Sequence, residues 1–166
     1  MRNNLGLTFV ELILVIVIIA IMSAMTLPTF HNWTKKYYIL NSTKKVFSDI
    51  HQIKLKAFTE KRTCGIFWPT SNTKIYYLRC DTDYDNDIND DGGYETLLSV
   101  SLDEIFVFNA GISQNFRFTK DGIAIDLGHI RSFELNVTPR YNCINISRTR
   151  IKMGVWSSDE NECQVK

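Results

Sequence analysis

Residues 7–27 read LTFVELILVIVIIAIMSAMTL, a run of 21 residues in which Glu11 is the one charge. As an α-helix this run is about 31 Å long, which is enough to cross the hydrocarbon core of a membrane. The six residues before it form a short polar leader with one cation, Arg2. The residues that follow lack the small-x-small site at which an ordinary secretory signal is cut. The sequence therefore predicts a membrane-inserted helix that remains attached to the chain.

Glu11 is an unusual residue for such a helix, because it lies one turn inside the apolar run. An ionised carboxylate in an apolar environment is costly unless a cation pairs with it. A plain membrane anchor is the simplest interpretation of the run, but it gives no reason for this carboxylate. We therefore expect Glu11 to have a cationic partner.

Three features of the N-terminal region occur together: a leader that ends in Gly6, the sequence LTFVE with Glu11, and Pro28. They resemble the class III signal of type IV pilins and type II secretion pseudopilins. The resemblance covers roughly the first 30 residues. It implies that a prepilin peptidase cuts between Gly6 and Leu7 and that Leu7 is then N-methylated. Most members of the family have Phe where this chain has Leu7, which is a conservative departure.

The same resemblance implies a role for the buried charge. In pilin filaments the carboxylate that Glu11 matches pairs with the N-terminal amine of a subunit, and a proline matching Pro28 lies within the helix. Removing one partner of a buried ion pair costs about 3–5 kcal/mol, because the other charge is left uncompensated. The pair would therefore set the register of the subunits.

The pattern becomes amphipathic after Pro28. Over residues 29–60 apolar side chains recur at three- and four-residue steps, and lysines occupy the other faces. The apolar series consists of Phe30, Trp33, Tyr37, Leu40, Phe47, Ile50, Ile53, Ala57 and Phe58. We expect one long helix with a transmembrane or filament-core part, residues 7–28, and an amphipathic part, residues 29–60, that packs on a globular head.

Residues 61–166 are predicted to form that head, since β-branched and aromatic runs alternate with turn residues. Residues 69–72 and 120–122 have the composition of hairpin turns. The predicted strands are 64–68, 74–80, 96–101, 105–108, 115–119, 123–127, 132–137 and 144–153. The expected fold class is α+β, with a long N-terminal helix packed on an antiparallel β-sheet, as in pilins.

Four cysteines are present without the close spacing that zinc sites use. Among the three connectivities they allow, pairing neighbours joins Cys64 to Cys80 and Cys143 to Cys163. Each bond would close a short loop and stabilise the fold by about 3 kcal/mol in the loop-entropy treatment. The alternative is four reduced, buried thiols in a cytosolic protein.

Residues 81–95 carry seven carboxylates and no Lys or Arg. Oxygen ligands at alternate positions before a glycine are typical of loops that wrap Ca²⁺. The candidate calcium ligands are Asp87, Asn89, Asp91 and, in place of the usual closing glutamate, Glu95. The alternative is a solvated surface hairpin. Because like charges repel, an ordered loop would favour a bound cation.

Residues 129–155 reverse the balance, with five Lys or Arg against one Glu. Arg148 and Arg150 would project from one face of a predicted strand and grip phosphates, with Lys152 extending the row. The sequence SRTR at 147–150, together with residues 116–122, resembles minor pilins of the FimT group and H-type pseudopilins. FimT-type proteins linked to DNA uptake have Gly-Arg-x-Arg here, which implies DNA as a candidate partner. The alternatives are a solvated face or pairing with the acidic loop.

No enzyme motif is recognisable, because the three histidines are scattered and neither a Ser-His-Asp set nor a phosphate loop is present. The expected function is that of a minor pilin or pseudopilin without enzymatic activity. It would sit in the bacterial inner membrane as a single-pass protein with a periplasmic head, and then assemble with other pilins. The alternatives are a DNA-binding minor pilin and a bitopic membrane protein that is never processed.

Overall fold

The computed structural model describes residues 8–70, 73–88, 92–108 and 115–165, without the side chains of 24–29 and 108. The fold class is α+β, as predicted. In these residues one α-helix is followed by eight β-strands. The elements are α1 Phe9–Glu60, β1 Cys64–Phe67, β2 Thr73–Asp81, β3 Tyr94–Phe108, β4 Asn115–Phe118, β5 Gly128–Ser132, β6 Cys143–Ile146, β7 Ile151–Ser157 and β8 Glu162–Val165.

Helix α1 covers most of both predicted helical parts and runs for 52 residues. Its first turn is capped by Thr8, whose Oγ1 accepts a hydrogen bond from the backbone N–H of Glu11 at 3.3 Å. It ends at Glu60, and Lys61 then adopts a left-handed conformation with φ 55°, a common way to end a helix. Within the described ranges, no helix combines the length and the apolar character needed to cross a membrane.

The chain divides into two compact units, Met1–Lys35 and Lys36–Lys166. In the first unit, the large apolar side chains between Phe9 and Met22 are 46–78% exposed. In the second unit, a stripe of α1 packs on the sheet through Val46, Ile50, Ile53 and Ala57. Ile50, Ile53 and Ala57 are buried as predicted. Phe58, which was expected in the same apolar series, is half-exposed.

The eight strands form one antiparallel sheet in the order β4-β1-β2-β3-β5-β6-β7-β8. The predicted β1–β2 hairpin is present, with Ile66 opposite Leu78. The predicted strands 96–101 and 105–108 are parts of β3, which pairs with β2 along most of its length and with β5 over Phe106–Phe108. Strand β8 was not predicted, because residues 158–161 and the charged start of β8 mask its short apolar pattern.

Three other strand predictions were wrong. Residues 123–127 make a single bridge, Ala124 to Phe118, because the Ala124 N–H then bonds the Arg148 carbonyl at 2.9 Å instead of continuing a ladder. The strand predicted at 132–137 shares only Ser132 with an observed strand, because β5 spans Gly128–Ser132 and its ladder with β3 stops after the bond from the Phe133 N–H to the Ile105 carbonyl at 2.9 Å. The strand predicted at 144–153 is a hairpin, since the N–H and hydroxyl of Ser147 both bond the Arg150 carbonyl and reverse the chain.

Both predicted disulfides are present, Cys64–Cys80 and Cys143–Cys163. The first joins directly opposed residues of β1 and β2. The second joins β6 to β8 and passes over β7 at Gly154, where an added Cβ would lie 3.0 Å from Cys163 Sγ. Glycine is therefore required beneath this bond.

Candidate functional site

The exposed apolar part of α1 contains the residues predicted to mediate processing and assembly. Gly6 and Leu7 lie outside the described residues. Glu11 is exposed among apolar side chains, and none of the described Lys, Arg or His side chains pairs with it. Helical backbone continues through Pro28, whose side chain lies outside the description. This segment thus offers an apolar surface with a single carboxylate on it.

The acidic segment that follows β2 is folded around one buried carboxylate, Asp81. Its Oδ1 accepts hydrogen bonds from the backbone N–H groups of Asp83 and Tyr84, at 3.0 and 2.8 Å. Its Oδ2 accepts one from the N–H of Asn86 at 2.7 Å. Such side-chain to backbone bonds are how Asp stabilises a turn, and they hold residues 81–86 in shape without a cation.

Two contacts attach this segment to the rest of the head. Thr63 donates its hydroxyl to the Asn86 side-chain oxygen at 2.7 Å, and Arg117 Nη1 donates to the Asn86 carbonyl at 3.0 Å. Arg117 also binds Asp126 through Nε at 2.9 Å. The Asp126 carboxylate raises the pKa of the Arg117 guanidinium above its usual value, and burial opposes this rise. The acidic segment is therefore held in place by a cation, Arg117, that stays charged at physiological pH.

Ile88 fixes the far end of the described segment. Its side chain is fully buried and lies against Gly65, where a Cβ would come within 2.9 Å of Ile88 Cδ1. The Ile88 carbonyl accepts a hydrogen bond from Arg79 Nη1 at 3.3 Å. The Arg79 guanidinium stacks between the rings of Phe67 and Tyr94, at 4.1 and 3.9 Å from their centroids. The segment is thus anchored at both ends by protein groups.

The described residues include two of the four candidate calcium ligands, Asp87 and Glu95. Asn89 and Asp91 lie outside the description, and Asp87 Oδ1 accepts the N–H of Ile88 at 2.7 Å. Glu95 binds Arg62, with Arg62 Nη2 to Glu95 Oε2 at 2.8 Å. A different set comes together instead: Asp81, Asp83 and Asp85 each offer an oxygen, and these atoms lie within 4.8 Å of one another.

Two of the three candidate DNA-binding residues, Arg148 and Arg150, lie on a turn and not on a strand face, which corrects the sequence prediction. Arg148 and Arg150 belong to the four-residue turn between β6 and β7, and Lys152 is the second residue of β7. A cleft of about 180 Å³ is lined by Asn145, Ser147, Arg150, Lys152 and Val165. The structure therefore brings Arg150 and Lys152 together and leaves Arg148 outside this cleft.

The acidic and basic segments dock on the same short stretch of chain. The Asn86 carbonyl contacts Arg117, and the Arg148 carbonyl contacts the N–H of Ala124. The Lys54 ammonium donates to the carbonyl of Thr149 at 3.0 Å, which also fastens the basic turn to α1. Both contacts are therefore made within residues 117–124.

A larger cleft of about 530 Å³ lies where the end of α1, the acidic segment and the turn 119–122 meet. Lys61, Arg62 and Thr63 line it from the α1–β1 connection, and Thr119, Lys120 and Asp121 from the turn. Asp81, Tyr84 and Asn86 complete the lining. Sequence reasoning missed this cleft, because its three segments are far apart in the chain. The local signal that was available is Asp81 at a strand end, where Asp commonly begins a turn.

No protein-family model, curated protein or solved structure matches this chain.

Proposed function

We propose that this chain is a minor pilin or pseudopilin, a structural subunit of a type IV pilus or a type II secretion pseudopilus. The observation that carries the proposal is the first part of α1, where the large apolar side chains of residues 9–22 are exposed and Glu11 is the only charge. A surface of this kind is stable in water only when another apolar surface covers it. Matching segments of other pilins would provide that cover.

The rest of the molecule supports the same proposal. The α+β order of a helix followed by an antiparallel sheet supports it, because the N-terminal resemblance implies an arrangement of this class. Disulfides form and persist in the periplasm, which agrees with a head exported across the inner membrane. The membrane-inserted stage before assembly is proposed from the amino-acid sequence alone, in which residues 7–27 carry one charge.

Processing is the first test of this proposal. Mass spectrometry of the protein from its native host should show that residues 1–6 are removed by prepilin peptidase and that Leu7 is methylated. Gly6→Ala should leave the precursor in the membrane, because the residue before the cut is changed. Asn4→Ala is the control and should be processed normally. Intact Met1 in assembled filaments would contradict the proposal and favour an unprocessed bitopic membrane protein.

Assembly is the second test. Glu11→Gln keeps the size of the side chain and removes its charge, so a subunit's N-terminal amine would lose its partner. If that loss costs about 3 kcal/mol, incorporation into filaments should fall by roughly a hundredfold. Glu60→Gln, at the exposed end of the same helix, is the matched control. Equal incorporation of both variants, measured by quantitative immunoblotting of sheared filaments, would rule out the pairing.

A second candidate function is DNA capture by the basic turn. The observation that favours it is the small cleft lined by Arg150 and Lys152, whose lining includes no carboxylate. Phosphate contacts release counterions, so the logarithm of the affinity should fall with the logarithm of salt by about 0.9 per contact. Arg150→Gln with Lys152→Gln should flatten this slope for every DNA sequence, whereas Arg140→Gln should not. A DNA affinity, measured by gel retardation, that does not change with salt concentration would exclude this function.

A further inference from the structure

Backbone conformation singles out the 530 Å³ cleft. Four non-glycine residues in the described chain have a positive φ: Lys61, Tyr84, Asn86 and Asn161. Three of these four line the cleft. Lys61 ends α1 and Asn tolerates this region, so Tyr84, with φ 68°, is the residue whose conformation needs a reason. Uncommon backbone conformations of this kind collect at ligand-binding sites.

The side chain of Tyr84 gives that reason. Tyr84 is 71% exposed, although aromatic side chains contribute most when they are buried. The backbone beneath the ring is held by the bond from the Tyr84 N–H to Asp81 and by the two contacts that fix Asn86. The ring is therefore presented to solvent at the edge of the cleft from a well-supported segment.

The remaining lining offers both donors and acceptors. Lys120 forms no ion pair with a described residue, and the side-chain amide nitrogen of Asn86 has no partner among them. Asp121 supplies an exposed carboxylate, whereas the buried Asp81 carboxylate already accepts three backbone N–H groups. The guanidinium of Arg62 is already paired with Glu60 and Glu95. The charges nearly cancel, which disfavours a strongly anionic ligand.

We propose that this cleft binds a short saccharide, with one sugar ring stacked on Tyr84. A sugar ring has an apolar C–H face that packs on an aromatic ring, and hydroxyl groups that donate and accept hydrogen bonds at once. The mixed lining of Lys120, Asn86 and Asp121 suits such groups. A volume of about 530 Å³ is within the range of small-molecule sites and accommodates two sugar rings. This activity is independent of filament assembly.

The test uses the full chain in a detergent without a sugar headgroup. Chitobiose, lactose, maltose and cellobiose serve as probes in saturation-transfer NMR and in titrations up to about 10 mM, with at least one expected to bind in the millimolar range. Tyr84→Ala should weaken that binding by about tenfold or more, because the stacking surface is lost. Tyr84→Phe keeps the ring and should stay within about threefold.

Controls separate this site from general surface effects. Phe133→Ala removes an exposed aromatic ring outside the cleft and should leave binding unchanged. Asp121→Asn, at an exposed turn position, should weaken binding without changing the unfolding curve, which guards against a folding defect at position 84. The proposal is overturned if none of the four probes binds, or if Tyr84→Ala binds them as the wild type does.

Discussion

Gly154 lies inside β7, where glycine normally weakens a strand. Its position is explained by crowding on both sides. An added Cβ would come within 2.2 Å of the Gln164 carbonyl oxygen and 3.0 Å of Cys163 Sγ. Because the first of these atoms belongs to the paired strand, it cannot move without disturbing the ladder. The residue is thus required by both the sheet and the disulfide.

Gly154→Ala should therefore lower the free energy of unfolding by about 1–3 kcal/mol, as overpacking of a fitted site does. Urea unfolding of the full chain measures the change. Ser158→Ala, in the exposed turn before β8, is the control and should stay within about 0.5 kcal/mol of the wild type. A substitution at Gly154 that costs no more than the control would show that the strands can separate freely here.

His129 is the buried histidine of the head, with its ring 4.7 Å from that of Trp156. Burial lowers its pKa below 6.5, the nearby Arg131 lowers it further, and Glu162 opposes both. The unfolded chain then binds a proton that the folded chain resists. The contribution of His129 to the free energy of unfolding is therefore fully present above about pH 6.5 and is lost as the pH falls towards the lowered pKa.

His129→Gln should flatten this pH dependence. Unfolding free energies measured between pH 7.5 and pH 5.5 should decline less in the variant than in the wild type. His51, whose pKa is lowered by burial and by Lys54, contributes in the same direction and is present in both proteins. His31→Gln, at an exposed position, should keep the wild-type slope. Identical slopes for the wild type and His129→Gln would refute this role.

At the scale of elements, α1 is joined to the sheet by a buried polar contact as well as by its apolar stripe. Tyr76 is fully buried in β2, and its hydroxyl donates to the Asp49 carboxylate. Lys45 lies 3.7 Å from the same carboxylate at the protein surface. Burial and the neighbouring Asp49 together raise the pKa of Tyr76, so its hydroxyl remains a donor at physiological pH.

A double-mutant cycle tests this contact. Asp49→Ala leaves the Tyr76 hydroxyl buried and unpaired, and Tyr76→Phe leaves the carboxylate with Lys45 alone, so each should cost about 1–3 kcal/mol. The double variant should cost clearly less than the two single changes combined, because no unpaired partner remains. Thermal unfolding by circular dichroism is the measurement, with Ser48→Ala as control. Strict additivity would mean that the two groups do not interact.

The elements differ in how far the sequence predicted them. The β1–β2 hairpin and the stripe containing Ile50 and Ile53 were predicted from local sequence patterns, and both are present in the fold. The hairpin turn at 147–150 was missed, because Ser, Arg and Thr there continue the alternating pattern of a strand, and the reversal depends on Ser147 bonding the Arg150 carbonyl. Residues 123–127 were mistaken for a strand because the competing hydrogen bond, which the Ala124 N–H donates, has its acceptor in a distant turn, at the Arg148 carbonyl.

For the whole molecule, the two disulfides lie in different parts of the sheet. Cys64–Cys80 joins β1 to β2, and Cys143–Cys163 joins β6 to β8. The two bonds close loops of similar length, with sequence separations of 16 and 20 residues, so the loop-entropy treatment assigns each bond about 3 kcal/mol. The pairing was predictable from sequence separation, whereas the cleft at Tyr84 was not, since it forms only when three distant segments meet.

Replacing Cys143 and Cys163 by Ser should lower the unfolding free energy by about 3 kcal/mol and release β8 from the edge of the sheet. Hydrogen exchange should then speed up in residues 162–165 while β1 and β2 remain protected. The reciprocal pair, Cys64→Ser with Cys80→Ser, is the matched comparison and should leave the protection of β8 unchanged. Uniform loss of protection across the head in both variants would show a single cooperative unit.

The seam between β3 and β5 has a mechanical consequence. Among the described residues three pairs join these strands, Phe106–Ser132, Val107–Arg131 and Phe108–Ile130. Each disulfide lies wholly to one side of this seam, so no covalent crosslink carries tension across it. We therefore expect that a pulling force applied across the head separates β3 from β5 before it opens either crosslinked half of the sheet.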